Sequence, residues 1–200
     1  IQYLSLFANR AYGFRMSCIL GLISFNQKVK VRCPLSPLVP NFEKKGLSSL
    51  APKQQTHLYE AISKSCDRIV KYTIDKNDKK IFPNAKNRIL VISDGVDSSG
   101  QSVVDIVKKL RNHDIMLDSI ILCKGDECKM LATLCHLTGG LSFKSSGNFV
   151  EDLKIFEQSA FLCSKRRLRS RLQLIPGKRE TVFYRIETEK ITQEFIDQVN

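Results

Sequence analysis

Two hundred residues, 42% of them apolar, can build one core of ordinary size with chain left over for a tail. The net charge of +12 permits attraction to acidic partners without identifying one. No apolar run reaches the roughly 18 residues of a membrane span, and Ile1 to Ala11 lacks the basic start and small-residue cleavage site of a secretory leader.

The first segment, Gln2 to Tyr12, places Leu4, Phe7, Ala8 and Ala11 on one helical face and meets Gly13 as a stop. Met16 to Phe25 (MSCILGLISF) reads as an apolar strand. Asn26-Gln27 then forms a two-residue turn, and Lys28 to Arg32 alternates with Val29 and Val31 on one side. This second strand is expected at a sheet edge, guarded by its charges. Pro34 to Pro40 (PLSPLVP) is expected to break regular structure as a stiff connection; its P-x-x-P spacing also matches an extended ligand for an aromatic groove.

Leu58, Ala61, Ile62, Cys66, Ile69 and Val70 form a helical stripe, with Thr56 placed as its N-cap. The next element carries the most information. Ile89 to Ile92 is a short apolar run fit for a strand buried on both faces of a parallel sheet, and the chain turns at Asp94-Gly95. Ser98 or Ser99 can cap a helix bearing Val103, Ile106, Val107 and Leu110. Asp94 thus falls at the carboxyl end of a central strand, where open α/β sheets build ligand sites.

Ile115 to Cys123 is the following strand, and Asp126 can cap a helix with Met130, Leu131, Leu134 and Leu137 that closes at Gly139-Gly140. Leu141 to Phe143 is a short strand, and Asn148 can start a last helix through Phe149, Leu153, Phe156 and Ala160. Regular alternation of strand and helix predicts a parallel sheet with right-handed crossovers. Residues 1–164 are read as one domain. Residues 165–200 are read as a basic extension or a linker to a further domain, because Lys165, Arg166, Arg167, Arg169, Arg171, Lys178 and Arg179 follow with no acidic residue among them. That segment is either a solvated extension or an electrostatic patch for nucleic acid or anionic lipid; without aromatics it offers no base stacking.

The seven cysteines are odd in number and lack a C-x-x-C pair. Cys18, Cys66 and Cys135 read as reduced core thiols, and Cys123 with Cys128 is a poor metal pair because no second pair or convergent histidine accompanies it. His57, His113 and His136 are scattered, so no nucleophile–base–orienter set is formed and no enzyme is expected. His57 adjoins Thr56, and Asp97 follows Asp94 closely. Both are candidates for contacting a partner, Asp97 with a solvated turn as the plainer alternative.

GLISFNQKVKV, QQTHLYEAI, RILVISDG and LATLCHLTGG, in that order, make residues 2–164 resemble a von Willebrand factor type A (vWA) domain. The resemblance implies a three-layer α-β-α fold with a mostly parallel, Rossmann-like sheet and one antiparallel edge strand. It also implies a metal-ion-dependent adhesion site in which Thr56 and Asp94 are ligands of Mg²⁺ or Mn²⁺, the shell being completed by an acidic group of a protein partner. The family's Asp-x-Ser-x-Ser loop and the strand before it are missing, which removes three ligands and leads us to expect a piece of a longer protein. The expected role is an intracellular, cytoplasmic or nuclear, protein-binding module. The alternative is a metal-free scaffold domain within a larger multidomain protein. Domains of this resemblance occur in ubiquitin-pathway and nucleic-acid-associated assemblies.

Overall fold

The computed structural model describes residues 9, 12–13, 17–38, 56–74, 81–82, 85–122, 128–148 and 151–152. Most of the helix expected over Gln2 to Tyr12 lies outside them. So do Asp126, the last helix beyond Asp152 and the basic segment from Lys165 to Arg179. The chain divides into two compact units: Ile1–Pro83 with Asp97–Gln101, and Asn84–Val96 with Ser102–Asn200.

The first unit contains a two-stranded antiparallel sheet of β1 (Ile19–Ser24) and β2 (Lys30–Pro37), followed by helix α1 (Leu58–Thr73). The connection between the strands is longer than the two-residue turn expected at Asn26-Gln27, because β2 begins only at Lys30. β2 also runs through Pro34 to Pro37, where a break was expected. The reason is local. Pro34 and Pro37 are both exposed, and Pro34 falls where the register shifts between the Leu20–Ser36 and Leu22–Cys33 pairs. A proline needs no ladder donor at such a bulge or edge position. Helix α1 follows its apolar stripe: Leu58, Ile62 and Cys66 are fully buried. Each buried Leu or Ile contributes about 1.5–3 kcal/mol.

The second unit is a parallel sheet in the order β3 (Asn87–Ser93), β4 (Ile115–Ile121), β5 (Ser142–Lys144), with helices α2 (Val103–Asn112) and α3 (Lys129–Leu137). The pairing is in register from Asn87–Ile115 to Ser93–Ile121, and β5 joins at Ser119–Ser142. β4 is the central strand and is buried along nearly its whole length. Both helices pack on β4 and touch each other. β3 alternates instead of being uniformly covered: Ile89, Val91 and Ser93 are buried, while Leu90 and Ile92 are half-buried.

Helix α2 is capped by Ser102, whose hydroxyl accepts from the Asp105 amide at 3.3 Å, rather than by Ser98 or Ser99. Those two serines are taken up by other bonds in the first unit. Helix α3 ends as its glycines foretell, with Gly139 at φ +74°. At Gly140 the constraint is steric. A Cβ there would lie 1.7 Å from the Leu117 carbonyl oxygen, so the α3–β5 connection can approach β4 only without a side chain.

The buried centre of this unit is partly polar. Asp118 on β4 is completely buried, is ion-paired with Arg88 Nε on β3, and accepts from the Leu141 amide at 2.7 Å. Its neighbour Ser119 contacts the Ser142 hydroxyl at 2.8 Å and accepts from the Cys135 thiol at 3.3 Å. A charge in a central strand is tolerated when every oxygen is paired, and this pairing also ties the three strands together. Among the described residues no helix is long and apolar enough to cross a membrane.

Candidate functional site

Asp94 follows β3 directly, at the carboxyl end of the parallel sheet, as its place in the sequence requires. Its side chain is exposed. Oδ1 lies 3.3 Å from the Ser93 hydroxyl and 3.4 Å from the Val96 amide, both long contacts. The turn itself is well defined: Gly95 has φ +87°, and its amide donates to Ser93 Oγ at 3.1 Å. The ends of the neighbouring strands complete this surface. The Leu122 amide donates to the Ser93 carbonyl at 2.9 Å, and the Ser145 amide donates to the Ile121 carbonyl at 2.8 Å. Val96 and Leu122 are 43% and 53% exposed, high for apolar side chains beside a carboxylate.

Behind β5 lies a polar knot that the sequence reading did not single out. Asp152 is buried and accepts from Ser146 N at 2.9 Å, from Ser146 Oγ at 3.0 Å and from Ser145 Oγ. It closes the Ser145–Gly147 loop at the carboxyl end of β5. The only signal for it in the sequence was a Ser-Ser-Gly turn followed by an acidic residue in the next helical turn, which many surface loops share.

Thr56, His57 and Asp97 come together in the other unit, around the start of α1. Thr56 does not cap that helix. The N-cap position is His57, and no side chain of that residue holds a helix amide. The orphan donor at Tyr59 is instead satisfied by Asp97 Oδ1 at 3.0 Å, from 38 residues further along the chain. Asp97 Oδ2 accepts from Ser99 N at 2.9 Å and from Ser99 Oγ at 2.8 Å. Thr56 pairs through its backbone with Ser98: its amide donates to Ser98 Oγ at 3.1 Å, and its carbonyl accepts from Ser98 N at 2.8 Å and from Ser98 Oγ at 3.1 Å. His57 Nδ1 is 2.9 Å from Glu60 Oε2. Asp97 therefore organises a helix start, and the tyrosine it faces is affected: burial, then the Asp97 charge, push Tyr59 up to about 12.

The residues present do not by themselves fit a divalent cation. Mg²⁺ takes about six oxygens in near-octahedral geometry, whereas Thr56 and Asp94 would supply two. Both Asp97 oxygens are already engaged by amide and hydroxyl donors. Among the described residues no group of three or more His, Cys, Asp or Glu could hold a metal ion. The basic residues Lys165, Arg166, Arg167, Arg169 and Arg171 lie outside the described residues.

Of the cysteines read as reduced, Cys66 and Cys135 are free and buried, and Cys18 is free but only partly covered. Burial pushes Cys18 up, and pushes Cys135 up to about 12. Cys128, weighed in the sequence only as half of a poor metal pair, is disulfide-bonded.

No family model matches the sequence. One curated relative, the probable bifunctional E2/E3 enzyme R795 of Acanthamoeba polyphaga mimivirus, is 28% identical over 142 residues. That match spans 70% of this chain and 11% of the viral protein. Among solved structures, a von Willebrand factor type A protein from Catenulispora acidiphila superposes with a TM-score of 0.57 at 11% identity, over 77% of this chain and 37% of that one. The SpRpn10 VWA domain superposes with a TM-score of 0.54 at 11% identity, over 76% and 79%. With a parallel sheet flanked by helices and an antiparallel strand pair, the chain has a von Willebrand factor type A-like fold.

Proposed function

We propose that this chain is a protein-interaction module whose partner surface is the carboxyl end of the parallel sheet, centred on Asp94. One observation carries the reading: the exposed Asp94 carboxylate and the exposed apolar side chains of Val96 and Leu122 all follow the carboxyl ends of the paired strands β3 and β4. A charge accompanied by apolar side chains can combine a directional contact with burial of surface, which is how interaction patches gain both specificity and affinity. The vWA-like fold supports it, since domains of that type commonly bind proteins. Binding rather than catalysis is proposed, as the scattered histidines suggest no acid–base chemistry.

The test places a photo-crosslinking residue at Leu122, identifies the captured protein, and measures its affinity for the purified chain. Asp94→Ala should weaken that affinity by about tenfold or more, the loss of one charged contact at an interface, with an unchanged melting temperature. Equal affinity of the variant would overturn the reading.

A second reading is favoured by the match to a small part of the viral E2/E3 enzyme. Here the domain is a metal-free scaffold within a larger multidomain protein, and EDTA would leave both binding and melting unchanged. In either reading the segment from Lys165 to Arg171 is a proposed electrostatic contact for nucleic acid or anionic lipid, to be recognised by binding that weakens steeply with salt.

A further inference from the structure

Among the described residues β3 pairs along one side only, with β4. The Ser93 carbonyl faces β4, where it accepts from the Leu122 amide at 2.9 Å. Backbone groups alternate in direction along a strand, so those of Leu90 and Ile92 face the opposite edge. Their side chains are half-buried, and Val91 between them is buried. Nothing in the strand itself guards this edge. Ile89 to Ile92 contains no charge, proline or glycine, and the register against β4 is unbroken. β2 shows the contrast: it carries Lys30, Arg32, Pro34 and Pro37, and its register against β1 shifts. Charges, prolines and bulges are how exposed edges avoid further pairing, so β3 has the character of a strand paired on both sides.

We propose that the outer edge of β3 pairs with β3 of a second copy of this chain, antiparallel, about a two-fold axis at Val91. The side chains set the register. With Val91 opposite itself, Leu90 meets Ile92 and Arg88 meets Asp94, so one face sets apolar against apolar and basic against acidic. Centring the axis on Leu90 would set Arg88 against Ile92, and centring it on Ile92 would set Asp94 against Leu90. Leu90 and Ile92, whose amides and carbonyls face outward, become a hydrogen-bonded pair, and Val91 meets itself as a non-hydrogen-bonded one. Arg88 keeps its ion pair with Asp118. The two-fold closes the contact, because each copy covers the other's edge, and association stops at the dimer. This pairing does not rest on the partner surface proposed above.

Sedimentation equilibrium of the whole chain should give twice the chain mass as concentration rises. Leu90→Lys, which puts a charge on the outer edge, should weaken association about tenfold or more. Asp94→Arg sets like charges opposite each other at both ends of the pairing and should weaken it about tenfold. Asp94 is exposed, so that variant serves if Leu90→Lys does not fold. Val91→Cys reads the register. A non-hydrogen-bonded antiparallel pair brings its Cα atoms to about 4.5 Å, within reach of a disulfide, so mild oxidation should give a covalent dimer whose mapped link joins residue 91 of one copy to residue 91 of the other. A chain that stays monomeric at every concentration, or a dimer indifferent to both charge variants, would overturn the proposal. So would a monomer whose Leu90 and Ile92 amides resist hydrogen exchange, since another segment of the same polypeptide would then hold the edge.

Discussion

At the scale of single residues, the most consequential pairing is Arg88 with Asp118. Asp118 has no exposure at all, so its charge depends on Arg88 and on the Leu141 amide in place of water. Removing one member of a buried pair strands the other, which costs far more than the pair is worth against an apolar replacement. Arg88→Leu is therefore expected to destabilise the protein by about 3–5 kcal/mol, measured as a shift of the urea midpoint at constant slope. The double variant Arg88→Leu with Asp118→Leu should recover much of that loss. Neither residue stood out in the sequence, because an arginine before an apolar run and an aspartate within one look like a strand's polar start and an exception.

At the scale of elements, α1 illustrates how a helix start can be governed from a distance. Its apolar stripe was legible from spacing, and Leu58, Ile62 and Cys66 are buried as that spacing requires. Its cap was not legible. Thr56 has the right chemistry one residue too early, and the acceptor for the Tyr59 amide is Asp97. Asp97→Ala should therefore cost about 1 kcal/mol in thermal or urea unfolding, the usual value of a lost cap, whereas Thr56→Val should cost clearly less. Asp97→Asn retains an acceptor oxygen and should fall between wild type and the alanine variant. Equal losses for Asp97→Ala and Thr56→Val would return the cap to Thr56.

For the whole molecule, two buried acids set the response to alkali. Cys135 is raised from 9.0 to about 12, chiefly by burial, and Tyr59 is raised from 10.0 to about 12, chiefly by burial and then by Asp97. Each has a folded-state pKa above its unfolded value, so the folded state holds the proton more tightly. Their contribution to stability is complete below the unfolded pKa and is lost as pH rises through the folded one. The melting temperature should thus fall between pH 9.0 and about 12. Cys135→Ala should make that fall shallower in scans of melting temperature against pH. A slope unaltered by the variant would show that Cys135 does not titrate in this range.

Local periodicity by itself determined the strand–helix alternation from Leu58 onward, the parallel β3–β4–β5 sheet and the position of Asp94 at a strand end. These follow from the spacing of apolar side chains and from glycines at turns, which act over a few residues. Only the tertiary structure decided which groups meet across long separations: Asp97 with Tyr59, Arg88 with Asp118, Cys128 with the Asp94–Gly95 turn. It also decided that Pro34 and Pro37 belong to a strand, since an exposed edge and a register shift spare them the ladder bonds they cannot make. Hydrogen bonds and close contacts of this kind depend on which backbones the packed core brings within 3 Å, and no spacing along the chain encodes that distance.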